Sequence, residues 1–170
     1  MASALQHVTV PSDSCSALRL LRNGPLTDEQ KVRAAELVED DPDAREATVT
    51  GLGKAVFELQ AVGTAQEALD LLDSWIPDVV VSDIGMPGVD GYEFMRMLRA
   101  RPPERGGRVA ALALTAFAGL EDATRARSSG YQGHLAKPIS PENLAVAIAK
   151  LPRQGPSGRP ALSGPRSRAP

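Results

Sequence analysis

Residues 77–91 read PDVVVSDIGMPGVDG, and the fold turns on this stretch. Val79, Val80 and Val81 form a β-branched run of the kind that becomes a strand buried on both faces. The run leads through Ser82 into Asp83, and Gly85, Pro87 and Gly88 then break the chain into a loop. Taken alone, Asp83 reads as a cap of that loop. A carboxylate at the end of a buried strand costs free energy unless something pairs with it, so the rest of the sequence must supply a partner.

Working outward, residues 109–116 (VAALALTA) form a second continuous apolar run, which also suits a buried strand. Residues 64–75 place Ala65, Ala68, Leu69, Leu72 and Trp75 on one helical stripe, and Thr64 with Glu67 supplies a capping box at its start. Residues 90–101 read as a helix that stops before Pro102-Pro103, and residues 120–129 as a polar helix that ends at Gly130. Ser140-Pro141 opens a last helix with Leu144, Ile148 and Leu151 on one face. Strands and helices alternating at this spacing predict βαβ units, an α/β fold with a parallel sheet and helices on both faces. One segment resists this pattern. KVRAAELVEDD, residues 31–41, carries Ala34, Ala35 and Glu36 where a buried strand prefers β-branched residues, and its propensity is helical. The helix expected after it contains Gly51 and Gly53, each costing about 1 kcal/mol relative to alanine in a helix interior.

The composition bounds the function. With 170 residues and 42% hydrophobic content, the chain suits one domain with tails. A net charge of -2 gives no field that would attract nucleic acid or an anionic membrane. The first residues have neither a signal-peptide pattern nor a spanning apolar run, which predicts a cytoplasmic protein, and the single Cys15 fits a reducing compartment. Residues 1–30 read as an extension that is irregular or forms one short helix near 16–22, and 31–151 as the domain. Residues 152–170 hold five Pro, three Gly and four Arg with no acid, the composition of a disordered tail.

Polar groups in such a sheet gather at the carboxyl ends of the strands. Asp83 ends one strand, Thr115 comes near the end of the next, and Lys137 follows the short segment GHLA. Glu39, Asp40 and Asp41 follow the apolar pair Leu37-Val38 and would enter the same crevice. Asp41 reads better as an N-terminal charge for the next helix than as a ligand. Crowded carboxylates repel unless a cation sits among them, and oxygen ligands without His or Cys favour Mg²⁺ over Zn²⁺.

The segments LVEDDPDARE, PDVVVSDIGMPGVDG, VAALALTA and GHLAKPISPENL, in this order and spacing, resemble the receiver domain of bacterial two-component response regulators. The loop PPERGGRVAALALTAFA is similar to receivers of hybrid sensor histidine kinases. The resemblance implies a flavodoxin-like, doubly wound five-stranded parallel sheet. It implies that Asp83 accepts a phosphoryl group from a histidine kinase or histidine phosphotransfer protein. Mg²⁺ would be held by Glu39, Asp40, Asp83 and the backbone carbonyl of Gly85. Thr115 would engage the phosphoryl group, Lys137 matches the family lysine, and Pro138 matches a cis bond after it. His134 stands at the rotating ring position that is usually aromatic, though a satisfied, half-buried ring is an equal reading of it. Such a domain is a phosphoacceptor that switches binding of a downstream protein target, not a multiple-turnover enzyme. The competing reading is a receiver-like interaction scaffold that works without phosphate, favoured if the weak segment before Glu39 spoils the metal site. An Asp-nucleophile phosphohydrolase fits poorly, because the second acid of a DxD motif is replaced by Gly85.

Overall fold

The central valine run becomes the middle of a six-stranded, all-parallel sheet in a computed structural model that describes residues 8–9, 32–52, 56–116 and 119–151. In chain order the elements are β1 (Val8–Thr9), β2 (Val32–Val38), α1 (Pro42–Leu52), β3 (Val56–Val62), α2 (Ala65–Leu71), β4 (Val79–Asp83), α3 (Gly91–Arg99), β5 (Ala110–Thr115), α4 (Leu120–Ser129), β6 (Gly133–Ala136) and α5 (Pro141–Lys150). The strand order is β1-β6-β5-β4-β2-β3. The chain leaves β2 toward one edge and β4 toward the other, so the crevice beyond the carboxyl ends of β2 and β4 is the switch point where such sheets place their ligands.

Two apolar clusters hold the layers. On one face, Val38, Val80, Ala111 and Ala113 pack with Leu69 and Leu72, with Phe94, Met95 and Leu98 of α3, and with Ala126 of α4. On the other, Ala35, Leu37, Val79, Val81, Leu112 and Leu114 meet Leu52 of α1 and Leu144, Ala147 and Ile148 of α5. The even and odd residues of each strand thus face different helices, which is why β4 and β5 read as unbroken apolar runs. Helix starts follow local chemistry. Thr64 and Glu67 form the predicted capping box, Asp90 accepts from the amide of Glu93, and Ser140 accepts from the amide of Asn143 with Pro141 in the first turn. The helix predicted over 64–75 closes at Leu71, and turn bonds from Ser74 and Trp75 to the Leu71 carbonyl finish the segment.

The structure departs from the sequence reading in three places. The helical propensity of residues 32–38 is overridden: β2 pairs with β3 on one side and β4 on the other, and tertiary pairing decides. The glycine expected as a defect at position 51 is a packing requirement instead. A Cβ there would lie 2.2 Å from Cβ of Pro141, so glycine lets the end of α1 touch the start of α5. Strand β3 was not picked out from the sequence at all. The five-stranded parallel sheet stands, and the two-residue β1, from the stretch read as irregular, adds a sixth strand on the edge of β6 with Val8 opposite Gly133 and Thr9 opposite His134. The helix expected near 16–22, Gly53 and the tail 152–170 lie outside the described residues. Among the described residues no helix is long and apolar enough to cross a membrane.

Candidate functional site

Asp83 closes β4 in register with Leu114, and the amide of Ile84 donates to the Leu114 carbonyl, so the strand end is fixed before the loop begins. The loop returns through a bond from the Gly91 amide to the Ile84 carbonyl and leads into α3. Asp83 is 8% exposed, and its Oδ1 accepts a 3.3 Å bond from the Gly85 amide. Next to it in the sheet, β2 ends at Val38, and the Glu39 amide donates to the Val62 carbonyl of β3. That bond carries the strand pairing one residue further and buries the Glu39 side chain, which is 1% exposed.

Carboxylate oxygens of Glu39, Asp40 and Asp83 all lie within 4.8 Å of one another. Glu39 and Asp83 are buried while Asp40 is half-buried, so the cluster opens on the Asp40 side. Lys137 supplies the missing positive charge: Nζ stands 2.7 Å from Glu39 Oε2 and 3.1 Å from Asp83 Oδ2. Burial pushes the Glu39 carboxyl above its ordinary range, against the opposing pull of Lys137. Desolvation pulls the Lys137 ammonium down, but its bonds to Glu39 and Asp83 outweigh that and hold it above the usual lysine value.

Thr115 ends β5, is buried, and lends its carbonyl to the Lys137 amide at 2.7 Å, which ties the two strand ends together. The Lys137-Pro138 bond is cis, as the resemblance implies. His134 stands three residues earlier on β6, opposite Ala113 of β5, half-buried; burial and the nearby Arg127 hold its imidazole below the ordinary histidine value, with Asp122 opposing. Asp41 takes no part in the cluster. Its Oδ1 accepts from the amides of Asp43 and Ala44, which hold its carboxyl below the usual range, so it caps α1 as expected.

The donor set fits a hard divalent cation. Three carboxylates converge, no sulfur or imidazole is among them, and an octahedral oxygen shell at about 2.1 Å needs ligand oxygens about 3–4 Å apart, a small contraction from the spacing present.

A family model described as the response regulator receiver domain matches residues 36–149. The chain belongs to that family. An uncharacterized 14.6 kDa protein of Leptolyngbya boryana is 38% identical over 108 residues, 64% of this chain and 81% of that one. The response regulator Rre1 of Synechocystis is 34% identical over 116 residues, 68% of this chain, and the chain spans 49% of its length. Among solved structures, the receiver domain of a sensor histidine kinase of Pseudomonas aeruginosa, with a magnesium ion coordinated in its active-site cleft, is 29% identical with a TM-score of 0.60, covering 71% of this chain and 97% of that one. Receiver domains serve two-component signalling, bind Mg²⁺ at an acidic pocket, and interact with histidine kinases and effectors.

One residue at this site escaped the sequence reading. Arg45, six positions after Glu39 on α1, turns its guanidinium back over the helix start, with Nη1 2.6 Å from the Glu39 carbonyl and 3.4 Å from that of Asp40. Its only sequence signal is a basic residue in a polar helix, which reads as a solvated charge.

Proposed function

We propose that this receiver accepts a phosphoryl group on Asp83 from the phosphohistidine of a histidine kinase or histidine phosphotransfer protein, in a reaction that needs Mg²⁺, and thereby changes its binding of a downstream protein. The supporting observation is Lys137 Nζ set between the Asp83 and Glu39 carboxylates, at the rim of a three-carboxylate cluster. An Asp83 oxygen attacks phosphorus, the P–N bond to the donor imidazole breaks, and its electron pair leaves on that ring. Glu39, Asp40, Asp83 and the Gly85 carbonyl would hold the ion, which when bound neutralises charge on the phosphoryl oxygens. Asp83 is a weak nucleophile toward an anion, so its rigid placement at a strand end does much of the work. Lys137 is free to pass from Glu39 to the incoming phosphoryl oxygens. Thr115 then turns its hydroxyl toward the same oxygens, and the space it leaves lets His134 move, which alters the β6 face. The domain takes one phosphoryl group and is no multiple-turnover enzyme; it acts in the cytoplasm beside its kinase.

The test is incubation with Mg²⁺ and acetyl phosphate, or with a phosphorylated kinase, followed by intact mass. One phosphoryl group should add to the wild type and none to Asp83→Asn, and Lys137→Met should slow uptake at least 10-fold while leaving Mg²⁺ bound. An Asp83→Asn protein that gains the same mass would refute the assignment.

A further inference from the structure

The acidic turn at Glu39 and Asp40 follows a strand whose centre, Ala34-Ala35-Glu36, has poor β propensity, yet its backbone is gripped on both sides. The Glu39 amide donates to the Val62 carbonyl at 3.1 Å, and the Glu39 carbonyl accepts from Arg45 Nη1 at 2.6 Å. The same Nη1 reaches the Asp40 carbonyl at 3.4 Å, and the Arg45 amide bonds the Asp41 carbonyl at 2.9 Å. The Arg45 side chain thus holds two consecutive carbonyls of the turn, 39 and 40, while its amide makes the first-turn helix bond that any residue at this position would make. Position 63 makes room for it: a Cβ on Gly63 would stand 3.1 Å from Arg45 Nη1 and 3.8 Å from its Cζ.

We infer that Arg45 is a positioning residue, which holds the backbone of Glu39 and Asp40 so that their carboxylates converge with Asp83 on a divalent cation. This rests on the Mg²⁺ reading above. Arg45 ligates nothing. A ligand fixed in advance loses less freedom when the ion arrives, and residues that orient metal ligands from behind typically govern 10–100-fold in affinity. Its charge and its geometry pull in opposite directions. A guanidinium beside the site repels a cation, so a purely electrostatic Arg45 would weaken binding by its presence, whereas a positioning Arg45 strengthens it.

The sign of the change in Mg²⁺ affinity therefore decides. Titration calorimetry with Mg²⁺, on proteins whose fold is checked by circular dichroism and thermal melting, should give roughly 10-fold weaker binding for Arg45→Ala. Arg45→Lys, which keeps the charge and one donor, should recover part of the loss. Gly63→Ala, which crowds the guanidinium without removing it, should weaken binding less and add nothing on top of Arg45→Ala, because both act through one contact. Unchanged or tighter binding in Arg45→Ala overturns the inference alone. A wild type that does not bind Mg²⁺ overturns the reading beneath it, and this inference with it. If Arg45→Ala does not fold, Gly63→Ala carries the test: its failure to weaken binding overturns the inference.

Discussion

Strands β2 and β4 lie side by side and each ends in carboxylates of the site, yet they are made of opposite material. Strand β4 is Val79-Val80-Val81-Ser82-Asp83, buried at every position. Strand β2 is Val-Arg-Ala-Ala-Glu-Leu-Val, and at its centre the Glu36 side chain is fully buried, with neither oxygen hydrogen-bonded among the described residues. Burial pushes the Glu36 carboxyl up to about 8, and Arg101, which is paired with Asp73, is the charge that reaches it and opposes the shift. The contrast shows where strand identity comes from. Strand β4 would be a strand by its own propensity, whereas β2 is one because β3 and β4 leave it no other backbone partners.

The comparison can be broken at several points. The largest effect falls on the end of β4: Asp83→Asn should abolish phosphoryl uptake while leaving the melting temperature within a few degrees, as read by intact mass and calorimetry. Next comes Glu36→Leu, which should stabilise the protein at pH 7 by on the order of 3 kcal/mol, since a carboxyl raised from 4.5 to about 8 must take up a proton on folding. The sign is testable by pH. Because the folded-state value lies above the unfolded one, the stability contributed by neutral Glu36 is full below about pH 4.5 and is lost as pH rises toward 8. Urea melts between pH 5 and 9 should therefore show the leucine variant's advantage widening up to about pH 8 and then levelling. A constant advantage would mean that Glu36 does not titrate in that window. Third, Val80→Ala should cost about 2 kcal/mol by opening a cavity in the first apolar cluster. The smallest effect sits where the two strands enter. Asp78 Oδ2 accepts from the Ala34 amide at 2.9 Å while the Asp78 amide donates to the Ala34 carbonyl at 2.8 Å, and Asp78→Ala, which removes the first of these bonds, should cost no more than about 1 kcal/mol.

The same contrast explains what the sequence made legible. Strand β4, strand β5 and the capped helices carry their own signals, because a β-branched run, a Thr-x-x-Glu box or a Ser-Pro start acts over a few residues. Asp83 and Lys137 were legible for a related reason, since each sits where a strong local pattern breaks. Strand β3 was not, because Glu58 and Gln60 alternate with Leu59 and Ala61 over only a few residues, too short a run to stand out. Gly51 was read as a helix defect because its justification, Pro141, lies 90 positions along the chain. Arg45 was invisible because it acts on backbone carbonyls, which every sequence has.

The ion pair between Lys137 and Glu39 spans 98 positions. A ribosome delivers the acidic turn and Asp83 well before it delivers the lysine, and domains take shape from the N-terminal end at roughly 5–20 residues per second. For several seconds the emerging chain therefore carries Glu39, Asp40 and Asp83 without the lysine that pairs with two of them in the folded domain. Strand β6 pairs with β5 and, in the same motion, brings Lys137 to the acids.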